Sequence, residues 1–447
     1  MRDGGRIAAA IGVLERIEDR HLPVRQGLKA WGEEARYAGA KDRAFVSGLV
    51  LDVLRRRRSL GFAMGAETGR ARVLGALGLI WGWDLDRIAA ACGEAHGPGP
   101  LTDEERAALS ASPIPSALAE EFNSAPPSVR GDYPDWLDAA LARVFGEDRA
   151  AEGAGLAARA PVDLRVNILK TDPARALKAL EILGGRPVEA APLALRFAPP
   201  AAADRAPPIE AAPEFAKGWF EVQDLGSQIA AAAAGEVKGR QVLDFCAGGG
   251  GKTLALAAMM ANTGQLYAYD ADARRLTETV TRAQRAGVRN LQLRSPIRSK
   301  TPLAALEGLE GRMDLVFVDA PCTGSGTWRR HPDAKWRLGP AQLERRQGEQ
   351  DAVLATAAAY LKPLGRMVYV TCSLLMEENE DRLEAFLSHY PGFAQISVVE
   401  AIEASGQLTA AGLAGLADLI TPEGALRLTP RRSGTDGFFI AVLQRRS

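Results

Sequence analysis

The sequence is poor in residues that would staple or metallate it, with four cysteines and four histidines in 447 residues. No two cysteines form a C-x-x-C pair, and His21, His96, His331 and His389 are scattered without metal-ligand spacing. Both facts disfavour a disulfide framework and a zinc site, so no metal is expected. Net charge is missing too: 55 Lys and Arg face 55 Asp and Glu. That balance argues against a protein that coats nucleic acid indiscriminately, while leaving local basic patches open. Arg55 to Arg58 is one such patch, or else a solvated helix end whose cations suit the C-terminal dipole. The longest apolar runs, such as Val73 to Trp83, fall short of a membrane span. The apolar stretch Ile7 to Leu14 is followed by Glu15, Glu18 and Asp19, where a cleavage site would need small neutral residues, so it reads as a helix and not as a signal peptide. Unpaired thiols suit a reducing compartment, and a cytoplasmic protein without membrane attachment is expected.

What is present divides into three stretches, since a chain of this length outgrows a single core. In residues 1–130 the apolar positions Ile7, Ile11, Leu14 and Ile17, then Phe45, Leu49, Val53 and Leu54, recur at helical spacing and predict an all-α domain. Gly97 to Pro100, Pro113, Pro115 and Pro126-Pro127 punctuate its second half and predict loops leading to a boundary near residue 130. Residues 131–218 read as a small α+β unit: one helix from Trp136 toward Ala151, a strand over Val162 to Ile168, a helix over Pro173 to Leu183, and an Ala- and Pro-rich loop from Pro192 to Pro213. In residues 219–447 the short apolar runs Gln241 to Phe245, Gln265 to Tyr269, Leu315 to Val318 and Met367 to Val370 alternate with helical patterns. That alternation predicts an α/β, doubly wound and mostly parallel sheet, which binds ligands beyond the carboxyl ends of its strands.

The polar and glycine-rich residues of this last stretch fall at those ends. The strand ending in Asp244-Phe245 runs into Cys246-Ala247-Gly248-Gly249-Gly250-Gly251-Lys252-Thr253 and then a helix, a turn that lets backbone approach a cofactor closely. A phosphate loop would need glycine at Cys246 and is disfavoured. Asp270, at the end of the second strand, stands where an acidic side chain meets a ribose diol, so an adenosine-bearing cofactor fits better than a surface-turn aspartate.

Two further strand ends carry thiols. One leads into Asp319-Ala320-Pro321-Cys322-Thr323-Gly324-Ser325-Gly326-Thr327-Trp328-Arg329-Arg330-His331-Pro332-Asp333. The other ends in Tyr369-Val370-Thr371-Cys372-Ser373, followed by Glu377-Glu378-Asn379-Glu380. Either cysteine alone reads equally well as a small buried hydrophobe. Methylation of cytosine at carbon-5 supplies a reason for two. That carbon becomes nucleophilic when a thiolate adds to carbon-6 and the N3 edge is protonated or hydrogen-bonded, and a second proton-handling group must then help remove the carbon-5 proton. Asp319 could hold the N3 and amino edge. Arg329, Arg330, His331, Lys335 and Arg337 gather around Trp328 and Trp336 as a candidate RNA-binding rim, the alternative being a salt-bridged loop with two buried tryptophans.

These motifs together, D-A-P-C-T-G-S-G-T-W-R-R-H-P-D with Y-V-T-C-S and E-E-N, resemble the RNA cytosine-5 methyltransferases of the RsmB/Nop/Sun family, over nearly the whole chain. Val222-Gln223-Asp224-Leu225-Gly226-Ser227-Gln228 resembles the start of that family's catalytic domain and Thr435-Asp436-Gly437-Phe438-Phe439 its last strand. Leu164-Arg165-Val166-Asn167 resembles its small RNA-recognition-like module. Ala40 to Phe45 with Val53-Leu54-Arg55-Arg56 resembles the NusB-like helical domain of some bacterial members. The resemblance implies a Rossmann-like class I methyltransferase domain, S-adenosylmethionine as cofactor, Cys372 as nucleophile, Cys322 assisting product release, and Asp319 contacting cofactor or base. The implied cofactor set is Cys246, Ala247, Gly248, Gly249, Gly250, Gly251, Lys252, Asp270, Arg275 and Asp319. The implied partner is RNA, either 16S rRNA or a small-subunit assembly intermediate, bound by a monomer. Two departures stand out. The family's C-A-A-P-G-G-K is C-A-G-G-G-G-K here, and its G-D pair after the third strand is replaced by Arg294-Ser295-Pro296-Ile297. They keep open the alternative of a catalytically weakened or inactive RNA-binding or ribosome-assembly protein on the same fold. A transcription partner acting through the helical domain would leave both thiols unexplained.

Overall fold

The computed structural model describes residues 1–110, 122–201, 204, 208–296 and 301–447. Pro113, Pro115 and Ile297, named above, lie outside the described residues. The chain forms two compact units, one of Met1–Arg159, Pro199–Ala206 and Trp328–Leu338, the other of Ala160–Ala198, Pro207–Thr327 and Gly339–Ser447. No helix among the described residues is long and apolar enough to cross a membrane.

In the first unit the helices Asp3–Asp19 and Ala40–Arg55 bury the apolar faces read from the sequence, Ile7, Ile11, Leu14 and Ile17 against Phe45, Leu49, Val53 and Leu54. The unit continues past residue 130 to Arg159. Asp132 explains part of this, because it receives the backbone N–H groups of Arg58 at 3.0 Å and Ser59 at 2.9 Å and so satisfies orphan donors at the start of helix Arg57–Met64. The single helix expected from Trp136 is interrupted. Asp138–Phe145 stops at Gly146, whose φ of 55° lies in the left-handed region, and a new helix runs over Arg149–Leu156.

The second unit holds two sheets. The smaller has strands β1 (Val162–Val166), β2 (Arg186–Val188), β3 (Ala191–Phe197) and β4 (Phe220–Val222), antiparallel in the order β2-β3-β1-β4. Strand β3 occupies the first part of the stretch expected to be loop. Ala191, Ala194, Leu195 and Phe197 are buried there, and Pro192 is accommodated next to a register shift between Pro187 and Val188.

The larger sheet has strands β5 (Gln241–Asp244), β6 (Gln265–Tyr269), β7 (Leu291–Arg294), β8 (Met313–Asp319), β9 (Leu361–Thr371), β10 (Phe393–Ile396), β11 (Leu426–Leu428) and β12 (Phe438–Arg445). Their order is β10-β12-β9-β8-β5-β6-β7, with β11 also beside β12. Strands β5 to β9 pair in parallel and β10 to β12 antiparallel. Helices cover both faces, which is why Val242, Leu243, Leu315 to Val318 and Met367 to Val370 read as near-continuous apolar runs and are all buried. The strand order reverses at β5, with β6 on one side and β8 on the other, and a crevice opens beyond the carboxyl ends at such a point.

Candidate active site

The glycine-rich turn takes its shape from residues that tolerate left-handed backbone. Gly248 has φ 53° and Gly250 φ 84°, and a Cβ on Gly250 would come within 2.7 Å of Thr279 Oγ1. The turn is tied to the neighbouring strand by Ala247 N–H donating to the Tyr269 carbonyl at 2.9 Å and Gly248 N–H donating to Asp270 Oδ2 at 2.9 Å. Asp270 Oδ1 receives the Asp272 N–H at 2.8 Å, and Arg275 stands 3.4 Å from Oδ2. Beneath the turn, Thr253 Oγ1 donates to Asp244 at 2.6 Å and locks helix Gly251–Met259 to β5. Burial pushes the Asp244 carboxyl up to about 7.

Two strand ends bring the sulfurs together. Cys322 follows β8, Cys372 follows β9, and their Sγ atoms are 3.4 Å apart. The hydrogen bond to Cys372, then burial, then the Glu378 and Asp319 carboxylates, hold the Cys322 thiol well above its ordinary value. Burial does the same to Cys246. Lys252 donates to Asp319 Oδ2 at 2.8 Å. Burial pulls that ammonium down, but the Asp319 charge and hydrogen bond outweigh it, with Cys372 and Asp244 adding to them, so Lys252 stays above its ordinary value.

A cavity of about 660 Å³ lies over these strand ends, walled by Cys246, Asp270, Arg275, Asp319, Cys322 and Cys372 among others. Its size suits a nucleoside-bearing ligand. Asp270 Oδ1 accepts one backbone N–H and retains a second lone pair for a diol, while Oδ2 accepts the Gly248 N–H and faces Arg275. Phe245, Leu303 and Val353 give the cavity apolar wall. The residues therefore fit an adenosine-bearing cofactor. Of the glycine turn only Cys246 lines the cavity; Gly248 reaches it through Asp270 and Lys252 through Asp319, while Gly249, Gly250 and Gly251 shape the turn. Neither Ser295 nor Pro296 is among the described lining residues.

The expected rim needs correcting. Lys335 is 1% exposed and Arg329 4%. Within the helical unit Lys335 Nζ donates to the Arg55 carbonyl at 2.7 Å, Trp336 Nε1 to the Leu54 carbonyl at 2.6 Å, and Trp328 is buried. Lys335 is thus committed to a helix end and is not presented to phosphate. Arg330 is half-buried, and His331 and Arg337 are exposed. The patch at Arg55 to Arg58 is largely paired, Arg55 with Asp52, Arg57 with Glu18 and Arg58 with Asp135. Sequence reading missed Gln350, Arg346 and Glu349 on helix Pro340–Ala358. The last two line the cavity, and Gln350 donates to the Pro321 carbonyl at 2.9 Å. The helix pattern offers no signal that separates them from other polar positions.

Residues 233–444 match the family model described as 16S rRNA methyltransferase RsmB/F. The chain is 28% identical over 431 residues to a probable ribosomal RNA small subunit methyltransferase B of Synechocystis, covering 90% of this chain and 91% of that one. It is 32% identical to the ribosomal RNA small subunit methyltransferase B of Citrobacter koseri over 62% of each. Among solved structures, a methyltransferase homolog protein from Pyrococcus horikoshii aligns with a TM-score of 0.57 at 28% identity, covering 71% of this chain and 97% of that one.

Proposed function

We propose, from the premise that this chain belongs to the RsmB/F family of 16S rRNA methyltransferases, that it methylates carbon-5 of a cytosine in small-subunit ribosomal RNA through a covalent Cys372 adduct. The observation that carries this reading is the pair of sulfurs 3.4 Å apart on the wall of one cavity with Asp319. S-adenosylmethionine, when bound, supplies an electrophilic methyl group; Asp270, Arg275 and the turn at Cys246 to Gly248 would hold it.

Cys372 adds as a thiolate to carbon-6, and the ring electrons move to carbon-5 as the N3 edge takes a proton or hydrogen bond. Cys372 lines the cavity beside Cys322 and Asp319, where a base seated in the cavity can be reached. Asp319, oriented by Lys252, receives the amino edge of the base. Once carbon-5 is methylated, its proton must leave so that the ring double bond re-forms and Cys372 departs. The proton passes to a base in the cavity, and Cys322, 3.4 Å from Cys372, assists the departure of that sulfur. A cytosine inside a stack cannot reach these sulfurs, so a single-stranded or loop site suits the enzyme better than a long duplex.

The test is the pair of variants Cys322→Ser and Cys372→Ser, incubated with S-adenosylmethionine and a 16S rRNA transcript. Cys322→Ser is expected to accumulate a covalent protein–RNA adduct resistant to denaturing electrophoresis, and Cys372→Ser to form none and transfer no methyl group. An adduct in Cys372→Ser with none in Cys322→Ser would reverse the two roles.

A further inference from the structure

The Glu377-Glu378-Asn379 run has no part in the chemistry above, yet two of its residues are fully buried beside both thiols. Glu378 Oε1 accepts the Thr323 N–H at 2.8 Å and a Gln350 amide N–H at 3.0 Å, while Oε2 accepts the Thr323 hydroxyl at 2.5 Å. Gln350 also donates to the Pro321 carbonyl at 2.9 Å. The residues on either side of Cys322 are therefore both held by the Glu378–Gln350 pair. The next residue repeats the arrangement on the other loop. Asn379 Oδ1 accepts the Thr371 hydroxyl at 2.5 Å, and its Nδ2 donates to the Ser373 carbonyl at 3.0 Å, so both neighbours of Cys372 are held too. The Tyr369 hydroxyl donates to the Glu378 carbonyl at 2.7 Å, anchoring the turn to β9.

We infer that Glu378 and Asn379 act as a caliper: two consecutive positioning residues, each gripping one cysteine loop, that set the separation of the two sulfurs. The physical case is that burying a carboxylate is costly unless donors satisfy it, and here the Thr323 and Gln350 donors all lie on or brace the Cys322 loop. Adjacent residues of a short turn share one backbone, so both loops are referred to the same anchored point, and loss of one grip frees its own loop while the other stays held. Misplacement of a reacting group by about 1 Å costs on the order of 10²-fold in rate, which makes such a fixture consequential. The kinetic part of this inference rests on the thiol roles proposed above.

Two isosteric substitutions separate the jaws. Thr323→Val removes only the hydroxyl on the Glu378 side and is expected to leave adduct formation near wild type while slowing adduct release roughly 10- to 100-fold. Thr371→Val removes the hydroxyl that donates to Asn379, and with it the acceptor of the Ser373 N–H at 3.2 Å, and is expected to slow adduct formation to a similar extent while leaving release unchanged. Thr323→Ser and Thr371→Ser keep the hydroxyls and should restore each step. A second measurement needs neither RNA nor cofactor. Diamide takes up two electrons and two protons as the two thiols join in a disulfide, and peptide mapping follows formation of the Cys322–Cys372 link. Both Val variants should form it at least about tenfold more slowly than wild type. If both lower every step equally in proportion to a fall in melting temperature, or leave both steps and the oxidation rate unchanged, the caliper is wrong. If Cys322→Ser traps no adduct, the thiol roles fail instead, and the diamide rates still decide the caliper.

Discussion

Asp319 to Thr327 and Trp328 to Leu338 are consecutive parts of one sequence motif, and their polar groups serve opposite ends. In the first part Asp319 and Cys322 face a cavity, and Thr323 and Ser325 spend their hydroxyls on Glu378 and Ser373, which brace the cysteine loops. In the second, cations and indoles are spent on the interior of the helical unit. Lys335 closes on the Arg55 carbonyl, Trp336 on the Leu54 carbonyl, and Asp333 receives the Val24 N–H at 3.1 Å. A run of Arg, Lys and Trp beside a cavity-lining cysteine motif thus need not form an RNA rim. Its role depends on whether carbonyls or solvent surround it.

Variants that strike one part alone should separate loss of chemistry from loss of stability. The largest effect is expected from Asp319→Asn, which removes the carboxylate that holds Lys252 and that receives the base in the proposed reaction; methyl transfer should fall by about 10²- to 10⁴-fold in single-turnover assays, with little change in RNA affinity. Trp328→Ala should instead destabilise the helical unit by about 3–5 kcal/mol, read by calorimetric unfolding. Trp328→Phe should recover most of that loss, because the buried indole N–H has no hydrogen-bond partner among the described residues.

The next effect is pH-dependent. Burial pulls Lys335 down to about 7, with Asp132 opposing and Arg55 and Arg56 reinforcing the shift. An unfolded chain keeps this lysine protonated up to about 10.4, so between roughly pH 7 and 10 the unfolded state binds more protons and stability should rise with pH. Unfolding curves across that window should steepen for wild type relative to Lys335→Met, and equal slopes would refute the buried-amine picture. The smallest effect concerns the rim residues that are not buried. Arg330→Ala with His331→Ala should weaken RNA binding modestly and reduce its dependence on salt by about one counterion. An unchanged salt slope would leave Arg337 as the remaining exposed cation of the expected rim and exclude Arg330 and His331 from it.

Much of the fold and of the site is legible in the chain. The helical spacing from Ile7 and from Phe45, the alternation of apolar runs with helices after Gln241, and glycine where the backbone turns left-handed at Gly248 and Gly250 are local features that the structure repeats. The strand in the Ala- and Pro-rich stretch was not legible, because β3 draws its stability from pairing with β1 and β2 while its own composition reads as loop. Nor was the break at Gly146, where an apolar pattern continues across a residue that ends the helix.

Neighbouring residues along the chain suffice to place a glycine turn, an acidic strand end and two thiols at the tips of a doubly wound sheet, since periodicity and turn chemistry act over short stretches. How those groups are held, and which cations are lost to the interior, is set by the packing of remote segments. Gln350 meets Glu378 from 28 residues away and Lys335 meets Arg55 from 280. Such hydrogen bonds depend on where distant segments come to rest, and no local pattern encodes that.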